Sequence, residues 1–133
     1  MAVNYTQSWR NDHEGSDIKP SGSLSDTGYA CDFGASSSQW FRFSGAAGTH
    51  MLDSCPKWKS CGTLTPFWTD ERMPKAIGVE TMVEVYGVRE DNCRYYTKNI
   101  KVIRCTWDTS YDFIYKKTDD ALTNCNQAFC SMS

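Results

Sequence analysis

Seven cysteines in a chain of 133 residues constrain the fold more than any other feature of the sequence. The nearest pairs are C-x5-C and C-x4-C, and His13 and His50 are the only histidines. Zinc sites favour short pairs such as C-x-x-C with histidines to match, so this spacing argues against a metal centre. Disulfides in an oxidising compartment are the alternative for a small, loop-rich chain. An odd count leaves one thiol over or paired between chains, and the connectivity of the other six stays open. The seven are Cys31, Cys55, Cys61, Cys93, Cys105, Cys125 and Cys130.

Length and charge limit the class of protein. A chain of 133 residues is expected to form a single domain over residues 1–133. Its net charge is −2 and it has no basic block, which argues against nucleic acid as a partner. The longest unbroken apolar run is three residues, as at 113–115, so no segment is expected to insert into a membrane.

Alternating apolar and polar residues predict four strands. They lie at residues 40–43, 79–88, 95–104 and around Phe113 and Tyr115. Residues 15–38 are rich in serine and glycine and are predicted to form a loop, and a single helical turn is predicted at 118–122. The fold expected is therefore mainly β: a small, disulfide-rich single domain of antiparallel strands with long loops and at most one short helix.

A series of short motifs, in order along the chain, resembles one family. The chain from Trp9 to Cys130 is similar to the extracellular eight-cysteine domain of uromodulin and the pancreatic zymogen-granule membrane glycoprotein. Invertebrate secreted proteins carry the same domain, and the chain is expected to be a free-standing copy of this kind. The motifs are Trp9-Arg10, Gly28-Tyr29-Ala30-Cys31-Asp32, Trp40-Phe41-Arg42-Phe43, Gly48-Thr49-His50-Met51, Cys55-Pro56, Cys61-Gly62-Thr63, Pro66-Phe67-Trp68, Cys93, Cys105, Cys125 and Phe129-Cys130.

The resemblance implies a disulfide pattern and a location. It pairs Cys31 with Cys125, Cys55 with Cys93 and Cys61 with Cys130. The family's further cysteine after Cys93 is replaced by Arg94, and its partner near Val85 or Tyr86 is also absent. The partner of Cys105 would precede Trp9, so Cys105 is implied to be the odd thiol, unpaired or bridging two chains.

The same resemblance implies a secreted, extracellular protein. The sequence is expected to be a mature form or an expressed domain, because residues 1–3 do not resemble a signal peptide. Residues 1–8 are expected to form an N-terminal tail ahead of the domain at 9–130. The glycan that makes vertebrate members decoys for bacterial adhesins is not transferred, because residues 115–124 contain no sequon. The chain's only sequon is Asn4-Tyr5-Thr6.

The residues argue against catalysis. A hydrolase needs a nucleophile, a base and an orienting group, but the two histidines lie in different contexts, His13 in a polar loop and His50 in the turn after the predicted strand at 40–43. A glycosidase pair of carboxylates depends on spatial separation and would leave no sequence motif. The acidic doublets, such as Asp70-Glu71, are typical of solvated turns and lack the ligand spacing of a calcium loop. We therefore expect neither an enzyme nor a metal or other cofactor.

Five tryptophans point instead to binding. Trp9, Trp40 and Trp68 match family positions and are expected to pack in the core. Trp58 lies between Cys55 and Cys61 and is expected to be exposed on a short, rigid loop, while Trp107 lies in a polar turn. The structural alternative is that Trp58 packs over a disulfide and Trp107 covers a sheet end.

An exposed indole beside hydroxyl, carboxylate and ammonium groups suits a sugar, whose apolar face stacks on the ring. The sequence therefore predicts a calcium-independent lectin for cell-surface or extracellular glycans, with galactose-type terminal sugars favoured, acting as a homo-oligomer because a single site binds weakly. The alternative is an extracellular protein-interaction or matrix module. The predicted ligand-binding residues are Lys57, Trp58, Lys59, Trp107, Asp108, Tyr111 and Asp112.

Overall fold

One seven-stranded sheet and a separate two-stranded pair organise the chain. A computed structural model describes residues 2–11, 32, 39–106, 113–118 and 127–132. The strand order in the large sheet is β1-β2-β7-β6-β5-β4-β8, and β3 pairs with β9. The mainly β fold is confirmed. The strands are β1 (Val3–Tyr5), β2 (Phe41–Phe43), β3 (His50–Met51), β4 (Thr65–Trp68), β5 (Thr81–Arg89), β6 (Asn92–Arg104), β7 (Phe113–Lys117), β8 (Gln127–Phe129) and β9 (Ser131–Met132).

The long hairpin of β5 and β6 forms the centre of the sheet. Val83 pairs with Ile100 across the two strands, and both side chains are buried. Met82, the neighbour of Val83, points to the other face and is exposed. The same alternation in the sequence predicted these two strands, because successive side chains in a strand point to opposite faces of the sheet.

An aromatic core covers the inner face of the sheet. Phe41 of β2 pairs with Tyr115 of β7, and their ring centroids lie 5.7 Å apart. Phe129 of β8 approaches Phe41 to 5.4 Å and Phe67 of β4 to 6.3 Å. Each buried aromatic side chain contributes roughly 1.5–3 kcal/mol by leaving water, so this cluster stabilises the sheet from β2 to β8.

Two strand pairs are parallel, where the sequence predicted antiparallel strands. They are β1 with β2 and β4 with β8. The segment expected as an N-terminal tail thus contains β1, at the edge of the large sheet. Two single-turn 3-10 helices, Ser8–Arg10 and Gly45–Ala47, also lie where the sequence predicted none. Most of the predicted loop at 15–38, and the predicted helical turn beyond Thr118, lie outside the described residues.

The described part of the structure contains two disulfides of the implied pattern. Cys55–Cys93 and Cys61–Cys130 have Cα–Cα distances of 5.8 and 5.6 Å. The implied Cys31–Cys125 pair lies outside the described residues. Cys105 is present as a thiol, with its Sγ 3.9 Å from Arg42 Nη2.

A buried ion pair lies along the outer edge of β8 and forms hydrogen bonds with its backbone. Arg10 and Asp32 are 2% and 5% exposed and form two hydrogen bonds, at 2.7 and 2.6 Å. Asp32 also accepts the Phe129 backbone N–H at 2.9 Å and donates its own N–H to the Gln127 carbonyl at 2.9 Å. Arg10 donates to the Phe129 carbonyl at 3.2 Å. The two residues therefore occupy hydrogen-bonding groups that a further strand would use.

Candidate ligand-binding site

A groove of about 580 Å³ opens beside β3 and the segment that follows β4. Its apolar lining comes from strands that the core holds in place. Phe113 and Tyr115 of β7 are buried, and the Tyr115 hydroxyl accepts a hydrogen bond from the Met51 backbone N–H of β3 at 3.2 Å. Burial raises the pKa of the Tyr115 phenol, so the hydroxyl stays protonated at neutral pH. Met51 and Met73 complete this lining.

His50 of β3 also lines the groove and is 7% exposed. Its Nδ1 lies 2.8 Å from the Thr49 hydroxyl oxygen. Burial lowers the pKa of His50 from its ordinary value, and the nearby Asp53 carboxylate opposes that shift. The imidazole is therefore neutral at pH 7, and it can exchange hydrogen bonds without adding charge.

The acidic side of the groove is already engaged in contacts. Arg94 Nη2 donates to Asp70 Oδ2 at 2.8 Å, and the Tyr86 hydroxyl donates to Glu71 Oε1. The Arg94 guanidinium lies 3.9 Å from the centre of the Tyr86 ring. The hydrogen bond to Glu71, followed by burial, raises the pKa of Tyr86 to about 12. Asp70 and Glu71 are thus held in place by Arg94 and Tyr86.

The basic side is formed by Arg72, Lys75 and Arg104. Arg72 and Lys75 are exposed, and neither forms an ion pair within the described residues. Arg104 is partly buried, and its Nε donates to the Thr106 carbonyl at 3.1 Å. Its guanidinium lies 5.8 Å from the centre of the Phe113 ring, against the apolar lining.

The predicted Trp58 loop lies beside a second, smaller core cluster. The cluster contains Leu52, Trp68 and Tyr86, and Trp58 packs against it partly buried, where the sequence predicted an exposed ring. The Lys59 ammonium lies 4.4 Å from the centre of the Trp58 ring. Lys57 and Lys59 are exposed as expected. The partial burial of the Trp58 ring agrees better with the alternative interpretation, in which the ring packs over a disulfide.

Comparison with known proteins identifies the family of this chain. The family model of the uromodulin-like domain, the eight-cysteine module of the uromodulins, matches residues 41–131. The chain belongs to this family. It is 30% identical to mouse uromodulin over 105 residues and 26% identical to rat uromodulin over 104 residues, which is 78% of this chain in each case. The matched region spans 15% of the length of each uromodulin, so the uromodulin-like domain corresponds to a small part of those relatives.

Family and disulfides together fit an extracellular protein. Uromodulin-like domains are in general not enzymes. Among the described residues, no helix has the length and apolarity needed to cross a membrane. The same residues contain no group of three or more histidine, cysteine or acidic side chains that could hold a metal ion.

The remaining site predictions fall partly outside the described structure of the uromodulin-like domain. Trp107, Asp108, Tyr111, Asp112 and His13 are not among the described residues. Two of the three tryptophans expected in the core are buried, Trp9 and Trp68, and Trp40 is partly buried.

Sequence reasoning missed the groove itself. Of its charged residues, Asp70 and Glu71 are interpreted from the sequence as a solvated doublet and Arg104 as the end of a strand. The one available signal was the density of charge at residues 70–75, where four of the six side chains are charged.

Proposed function

We propose that this uromodulin-like domain is a calcium-independent, secreted glycan-binding module that acts by binding rather than by catalysis. The observation that carries the proposal is the groove of about 580 Å³. Its volume falls in the range of about 300–1,000 Å³ that small-molecule sites occupy. It combines an apolar lining with charged and polar side chains at its rim, which is the combination a sugar ring requires.

The chemistry of the rim suits sugar hydroxyls. Asp53 can accept hydrogen bonds from hydroxyl groups, and Arg72 and Lys75 can donate to them. His50 adds an uncharged ring to this rim, and its Nδ1 already contacts the Thr49 hydroxyl. Met73 and the edges of the apolar lining can contact the carbon-bound face of the ring. Fixed oxygen and nitrogen partners of this kind distinguish one sugar epimer from another.

Terminal galactose-type sugars are the proposed ligands, because their axial hydroxyl leaves one face of the ring clear for apolar contact. Trp58 remains a proposed contact, with Lys57 and Lys59 beside it. A sugar that stacks on the covered face of Trp58 must displace the Lys59 ammonium from its position 4.4 Å from the ring. The groove needs no such displacement, which favours it as the primary site.

A glycan array, read with and without EDTA, tests this function. We expect selective, EDTA-resistant binding by the wild-type domain and a loss of about tenfold or more in Asp53→Asn, since a hydrogen bond to a charged group is worth roughly 1.5–3 kcal/mol. Asp91→Asn is the matched control, because Asp91 is an exposed carboxylate in the turn between β5 and β6. A folded, disulfide-bonded sample that gives no signal would contradict the proposal.

A protein-interaction module is the second candidate, and exposed apolar side chains favour it. Ile77, Val79 and Met82 are 39%, 52% and 54% exposed at and before the start of β5. Simple sugars at millimolar concentration should compete with cell binding if glycans are the ligand and should leave it unchanged if a protein is. Light scattering of the same sample measures whether the proposed homo-oligomer forms.

A further inference from the structure

The groove carries positive charge that its own carboxylates do not neutralise. Of its three acidic residues, Asp70 is paired with Arg94 at 2.8 Å, whereas Glu71 accepts a hydrogen bond from the uncharged Tyr86 hydroxyl and keeps its negative charge. Among the described residues that line the groove, Asp53 and Glu71 are then the two carboxylates that balance three cations, Arg72, Lys75 and Arg104. His50 contributes no charge at neutral pH. The groove lining therefore has more positive than negative charge, and Arg72 and Lys75 are its exposed cations.

The backbone fixes those two cations at the rim. Thr69 anchors the start of their segment: its N–H donates to the Leu52 carbonyl at 3.0 Å and its hydroxyl donates to the Glu84 carbonyl at 2.6 Å. The same hydroxyl accepts the Glu71 backbone N–H at 3.1 Å. Pro74 is buried and immobilises the segment between Arg72 and Lys75.

We propose that the glycan bound in this groove carries an anionic substituent, a carboxylate or a sulfate, which contacts Arg72 and Lys75. This inference rests on the proposed function and specifies its ligand class. A guanidinium binds a carboxylate or sulfate through two parallel hydrogen bonds, and an ammonium adds a point charge. Neutral His50 and the apolar lining bind the uncharged part of the sugar.

Matched glycans provide the direct test. The array should carry a neutral galactose-terminated glycan, its sulfated form, its sialylated form and a uronic-acid form of the same length. We expect the anionic forms to bind at least about tenfold more tightly than the neutral one. Because Arg72 and Lys75 are exposed, their contribution should weaken as salt rises from about 0.05 to 0.5 M.

The variant Arg72→Gln/Lys75→Gln should lose the preference for anionic glycans and keep its fold. Arg89→Gln/Lys98→Gln is the control, since it makes the same change in net charge on the β5–β6 hairpin. Binding to neutral glycans alone, or an anionic preference that survives in Arg72→Gln/Lys75→Gln, would overturn this inference and leave the proposed function standing. A silent array would overturn both.

Discussion

At the scale of single residues, the Arg10–Asp32 pair stands out because both charges are removed from water. The Arg10 guanidinium also lies 4.2 and 4.3 Å from the centres of the Tyr5 and Trp9 rings. Aromatic faces and carboxylate together replace the water that a buried guanidinium loses. The pair therefore holds the first 3-10 helix, residue 32 and β8 in one arrangement.

Asp32→Asn should lower the free energy of unfolding by roughly 3–5 kcal/mol, because it leaves the Arg10 charge buried without its partner. Urea denaturation followed by tryptophan fluorescence measures the change. Asp70→Asn breaks the Arg94–Asp70 pair, whose side chains are 46% and 47% exposed, and should cost at most about 1 kcal/mol. Equal losses in the two variants would show that burial does not set the strength of the Arg10 pair.

The sequence analysis identified Arg10 and Asp32 separately and did not predict that they form an ion pair. Arg10 and Asp32 each stand in a motif that carries the family resemblance. No helical or strand periodicity connects two residues that far apart along the chain, since the contact depends on where β8 ends. The same limitation explains the groove, whose lining comes from β3, the segment after β4 and the ends of β6 and β7.

At the scale of elements, the join between β4 and β5 depends on one glycine. Gly87 pairs with Phe67 across the two strands, and the Phe67 ring lies over the glycine. A Cβ atom at position 87 would lie 2.6 Å from Phe67 Cζ. The large aromatic ring reaches the core only because its neighbour has no side chain.

Gly87→Ala should destabilise the domain by roughly 1–3 kcal/mol through overpacking. Thermal unfolding monitored by circular dichroism measures the loss. In a Phe67→Leu background, the smaller side chain should remove most of the additional cost of Gly87→Ala. An effect of the same size in both backgrounds would mean that the Phe67 ring is not the cause.

Sequence periodicity found the elements that are long enough to show it. The strands β5 and β6, of nine and thirteen residues, alternate between a more buried and a more exposed face at 82–85 and at 96–103. The strand β4 has four buried residues in a row and includes Pro66, so it has no alternation to detect. β1 and β8 pair in parallel with strands distant in sequence, and such pairings leave no local signal.

At the scale of the whole molecule, the two described disulfides differ in exposure. Cys61 and Cys130 are fully buried, whereas Cys55 is exposed and Cys93 partly buried. Cys55–Cys93 and Cys61–Cys130 close loops with sequence separations of 38 and 69 residues. In the chain-entropy model each such cross-link contributes roughly 4 kcal/mol, which is comparable to the total stability of a small domain.

Mild reductant should open Cys55–Cys93 before Cys61–Cys130, because thiol attack on a disulfide requires access to a sulfur. Alkylation at successive times, followed by peptide mass spectrometry, gives the order. If both pairs open together, reduction proceeds through global unfolding. If Cys61 and Cys130 are labelled first, exposure in the native state does not set the order.

The ion pair at β8 also limits how copies of the domain could join by extending their sheets. Asp32 and Arg10 take up backbone groups on the outer side of β8, so that edge is a poor template for another strand. Among the described strands, β1 is the other end of the sheet. A sheet that can grow from one edge only can pair with a copy of itself once. Such growth would close a two-fold dimer and could not propagate a filament.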